Sequence, residues 1–75
     1  MFDKIRFLAR LNGFVWLRDA LKTYGVRLIS ELSDTAMRAI LRDEAARLRE
    51  AAANFHADEA RMMRIDALEL AAMAA

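Results

Sequence analysis

From Asp34 to Ala75 the chain contains neither glycine nor proline, and one small residue recurs at every seventh position: Ala39, Ala46, Ala53, Ala60, Ala67 and Ala74. Nothing in that stretch forces an α-helix to stop, and a spacing of seven keeps the six alanines on one side of it. On the opposite side, at the same spacing, stand Leu41, Leu48, Phe55 and Met62. The pattern predicts one helix over about 34–74, roughly 60 Å long at 1.5 Å per residue, with a bulky seam and a smooth stripe facing apart. The stripe has two readings. Alanine, the best helix former, fills a solvent face, or it permits a close helix–helix approach between chains with Met63 and Leu70 flanking the contact. The alternative to one long helix is a break in the run Asn54-Phe55-His56-Ala57-Asp58, with Asp58 capping a third helix. The alanine phase crosses that run undisturbed, so continuity is the expectation.

Upstream, Phe7, Leu11, Phe14, Leu17, Leu21, Tyr24 and Leu28 recur at spacings of three and four, which predicts a first helix over about 2–24. A second apolar set, Phe2, Ile5, Leu8, Val15 and Trp16, lies around the same cylinder, so this helix needs cover on two sides. Gly13, although part of an Asn-Gly pair, sits inside an unbroken phase and is read as a tolerated helical glycine. Gly25, with Lys22 in the turn before it, marks a helix stop. Residues 25–33 form a connector. Ser33 as N-cap, Asp34 in the first turn and Leu32 with Met37 as a hydrophobic staple mark the next start. The fold class expected is all-α: a helical hairpin with a long C-terminal helix, or a three-helix bundle if that helix breaks.

Seventy-five residues form one small domain, near the size at which a single core supplies only about 3–5 kcal/mol. Apolar residues are 57% of the chain, but sixteen of them are alanines. A long helix outreaches the first one, and its distal part is apolar on more than one side. Met62, Met63, Ile65, Leu68, Leu70 and Met73 are therefore the expected partner interface, the bulky seam packing on helix one within the chain. The expected partner is a second copy, a larger protein assembly, or both.

Chemistry-bearing residues are sparse. With no cysteine there are no disulfide staples or thiolate metal ligands, and a reducing compartment, the cytoplasm, is expected. His56 is the sole histidine, and the order His56 to Glu59 does not reproduce the Glu-x-x-His of carboxylate-bridged bundles. Asp43 with Glu44, and Asp58 with Glu59, are neighbours that diverge by about 100° on a helix and do not face a common proton or metal. Gly13 and Gly25 stand alone, which excludes a phosphate-cradling glycine loop. No catalytic, cofactor-binding or metal-binding residue is assigned, and no small-molecule substrate is expected.

Residues 1–32 carry six basic against three acidic side chains and residues 33–75 six against eight, so a net +3 half is joined to a net −2 half. Lys4, Arg6, Arg10, Arg18 and Lys22 interrupt the most apolar region, leaving neither a membrane span nor the uninterrupted core of an export signal. The same region interleaves cations with aromatics. A peripheral membrane or nucleic-acid contact through Lys4, Arg6, Arg10, Trp16 and Arg18 is therefore the second expectation, with a membrane surface ahead of nucleic acid. A symmetric metal-binding oligomer centred on His56 is third. The first is a non-enzymatic interaction module, a small structural, adaptor or regulatory subunit.

Overall fold

The computed structural model describes residues 2–11 and 16–75, the side chains at 11 and 16 excepted. The reading of Gly13 as a helical glycine lies outside those residues. Among them the secondary structure is entirely helical: α1 (Lys4–Leu11), α2 (Trp16–Thr23), a single 3-10 turn at Ile29–Glu31, α3 (Asp34–Ala52) and α4 (Ala57–Ala74). The all-α class is as expected.

The two punctuation marks around the connector act differently, Gly25 through its backbone and Ser33 through its side chain. Gly25 takes φ +70°, where a Cβ is strained. Its N–H bonds to the Lys22 carbonyl at 3.1 Å and the Val26 N–H to the Leu21 carbonyl at 3.1 Å, the paired bonds that close a helix on a left-handed residue. At the other side, Ser33 Oγ accepts the Ala36 N–H at 3.1 Å, a cap worth about 1 kcal/mol. Leu32 and Met37 are both buried, as the staple requires.

The expectation of one continuous helix is corrected. α3 ends at Ala52, and the N–H groups of Ala53, Asn54 and Phe55 bond to the carbonyls three residues back, tightening the last turn. His56 then turns extended, φ −64° and ψ 158°, and its carbonyl accepts the Ala60 N–H at 2.7 Å to open α4. No glycine is needed, because no residue of this connector has positive φ. Asn54, Phe55 and His56 are weak helix formers, and Asp58 and Glu59 oppose the dipole in the first turn of α4. These local preferences for a break are small, and the burial gained when α4 folds back along α3 adds to them.

α3 and α4 pack as an antiparallel hairpin: the guanidinium of Arg42, in the middle of α3, donates to the carbonyl of Ala74 at the end of α4 at 3.5 Å. On α4 the buried residues are Ala60, Ala67, Leu70, Met73 and Ala74, and on α3 they include Met37, Leu41, Ala45 and Ala52. The alanine stripe is therefore split. Ala60, Ala67 and Ala74 face α3, whereas Ala46 and Ala53 are exposed. Within the chain, Ala60, Ala67 and Ala74 let α4 lie against α3, with half-buried Met63 and buried Leu70 beside them.

The bulky core lies at one end of the hairpin only. Phe2, Phe7, Leu17 and Leu32 cluster with Ala36, Met37, Ile40, Leu41 and Ala45 of α3 and with Ala67, Leu70, Met73 and Ala74 of α4. Phe2 and Phe7 pack with ring centroids 6.0 Å apart, and the Arg38 guanidinium sits 5.5 Å from the Phe2 ring. Leu48 and Leu21 reach the margin of the cluster. Phe55 and Met62, assigned to the same internal seam, are exposed, because the break at residues 53–56 ends the phase they shared with Leu41. Tyr24 and Leu28 are exposed as well, since the helix whose face they were to extend stops at Gly25. Toward the turn, only Ala52 and Ala60 are buried.

Candidate interaction surface

Because alanines close the turn end of the hairpin, that end lacks the cover the bulky core enjoys. The outward face of α4 carries Met62 (59% exposed), Ile65 (47%) and Leu68 (66%), and Phe55 on the connector is 51% exposed. Positions 62, 65 and 68 follow one another at i,i+3, so the three side chains form a continuous ridge. Phe55, Met62 and Met63, with Asp58 and Glu59, line a shallow depression of ≈ 420 Å³ beside it. Arg61 lies 3.4 Å from the Asp58 carboxylate and offsets part of its charge.

Of the six residues expected at a partner interface, Met62, Ile65 and Leu68 are on this ridge and Met63 is half-buried next to it. Leu70 and Met73 belong to the intrachain core, which corrects their assignment: α4 has the partner that a single long helix lacked, namely α3. Phe55, Asp58 and Glu59 join the surface unannounced. The weak helix formers 54–56 were the signal, since a break there turns Phe55 out.

The N-terminal cations are dispersed and partly engaged. Lys4 Nζ donates to the Ser30 carbonyl at 3.0 Å. Arg10 reaches Asp66 at 3.5 Å and Glu69 at 3.7 Å, tying α1 to α4. Such half-exposed pairs are each worth about 1 kcal/mol or less. Arg6 and Arg18 are exposed, and the Trp16 side chain lies outside the described residues. Glu44, the buried charged residue among those described, is held bidentately by Arg47. That hydrogen bond raises the proton affinity of the Arg47 guanidinium, partial burial opposing it and the Glu44 charge adding to it.

His56 is exposed at the start of α4, and among the described residues no three His, Cys, Asp or Glu side chains group as metal ligands would. No helix of the described residues is long and apolar enough to cross a membrane. No family model, no curated protein and no solved structure matches this chain. What the surface offers chemically is apolar area that water solvates poorly, bordered by charge.

Proposed function

We propose that this chain is a non-enzymatic interaction module, a small structural, adaptor or regulatory subunit that joins itself or a larger protein assembly through the outer face of α4. The observation that carries this reading is the continuous exposed ridge Met62–Ile65–Leu68 with Phe55 beside it. On a chain of this size, four large apolar side chains left half in water are a substantial share of the apolar area available for burial. Burying a large apolar side chain completely is worth about 1.5–3 kcal/mol, so covering the exposed halves of four gains about 3–6 kcal/mol. Association itself costs about 4 kcal/mol or more. The ridge therefore supplies a contact whose affinity depends on what else the partner brings.

Glutamate at both Met62 and Leu68 is expected to abolish self-assembly without unfolding the chain, since neither side chain contributes to the core. By light scattering, the wild-type mass rises above 8.5 kDa with concentration, while the double variant stays at 8.5 kDa with an unchanged helical circular-dichroism spectrum. A variant mass that follows the wild type contradicts the ridge, and a wild type of 8.5 kDa at every concentration contradicts self-assembly.

One observation supports a second reading. Ile5 is 80% exposed between Lys4 and Arg6, and Leu28, also exposed, is two residues from the Ser30 carbonyl that Lys4 holds. Apolar side chains among cations are what an anionic lipid surface takes up. Sedimentation with anionic vesicles that is lost in Ile5→Glu supports it.

A further inference from the structure

A second depression, sharing no lining residue with the first, is formed by Arg18, Leu21, Lys22, Val26 and Arg27 at the end of α2 and the loop after it. Its volume is ≈ 370 Å³, close to the ≈ 420 Å³ of the depression at the turn. Each has an apolar lining and a rim dominated by one sign of charge: Asp58 and Glu59 around Phe55, Met62 and Met63, against Arg18, Lys22 and Arg27 around Leu21 and Val26. Since Arg61 offsets part of the Asp58 charge, Glu59 is the principal acid of the first rim.

We propose that the acidic depression at the turn of one copy seats against the basic depression of a second copy. This rests on the self-association reading above and specifies how the two copies meet. Two acidic rims placed together gather four carboxylates, and two basic rims gather six cations, so like pairings are penalised on approach. Only the unlike pairing brings apolar lining together while charges attract. Phe55, half out of the connector, is the side chain that enters the partner's depression against Leu21 and Val26. Made once between two copies, this contact is head-to-tail and closes as a ring or continues as a filament; made reciprocally about a two-fold axis, it closes as a dimer.

The test reverses each rim in turn. Asp58→Lys with Glu59→Lys makes both rims basic, and Arg18→Glu with Arg27→Glu makes the second rim acidic. Each double variant alone is expected to remain at 8.5 kDa by light scattering where the wild type assembles, and an equimolar mixture to regain the wild-type mass. The wild-type dissociation constant is expected to rise at least about ten-fold between low and high salt, as screening shortens the reach of the rims. A mixture that stays at 8.5 kDa although both variants keep their helical spectra overturns the proposal. If a variant loses its helical spectrum, the salt titration decides: a salt-insensitive dissociation constant overturns it. Charge variants that assemble like the wild type, while the Met62 and Leu68 double variant does not, overturn this seating and leave the ridge standing. A wild type that never exceeds 8.5 kDa overturns both.

Discussion

Leu41→Ala is expected to remove the cooperative unfolding transition at 25 °C or reduce it to a remnant. Leu41 is fully buried in the cluster that gathers Phe2, Phe7, Leu17 and Leu32 onto the hairpin. Truncating a leucine in such a place costs about 2–5 kcal/mol through lost transfer energy and the cavity left behind. A single core of this size supplies about 3–5 kcal/mol, so the loss approaches the whole. Leu48→Ala, one heptad further along α3 and only half-buried, provides the comparison and loses clearly less. Urea titrations followed by circular dichroism measure both. Equal losses at the two positions contradict a core confined to the open end of the hairpin.

The second large effect concerns the alanines. Ala67→Leu forces an isobutyl group into the buried cluster shared by α3 and α4, where overpacking costs about 1–3 kcal/mol. Ala46→Leu belongs to the same seven-residue series but lies in water, and is expected to stay within about 0.5 kcal/mol of the parent. Thermal unfolding at a concentration where the chain is monomeric separates the two variants. If the stripe faced a second chain, Ala67→Leu would change the mass of the particle and leave the stability of the monomer alone.

The two substitutions also show what the sequence could reveal. Signals fixed by a few neighbouring residues were legible: the Ser33 cap, the Leu32–Met37 staple and the stop at Gly25 all stand where local chemistry puts them. The break at residues 53–56 was legible only as the alternative placed in the run Asn54–Asp58, because it uses neither glycine nor proline and no positive φ, and tertiary closure decides between it and a continuous helix. Sixteen alanines make a seven-residue coincidence easy, and the stripe crosses the break without sharing a face on its two sides. Periodicity also grouped Met62, Met63, Ile65, Leu68, Leu70 and Met73 as apolar on more than one side of α4. It carried no information on which side α3 covers. Once α4 folds back, Leu70 and Met73 go inward, and the outward remainder, Met62, Ile65 and Leu68, is the surface on which the functional reading depends.

Spin labels at Asp43→Cys and Ala72→Cys, both exposed positions, read the fold-back directly by pulsed dipolar spectroscopy. With helix axes about 8–10 Å apart, the labels of one hairpin lie within about 25 Å of each other, and a continuous helix separates them by about 44 Å. The short distance is expected to persist when labelled chain is diluted into an excess of unlabelled chain. A distance near 44 Å, or a short one that disappears on dilution, would show α4 packing on another molecule and would contradict the hairpin.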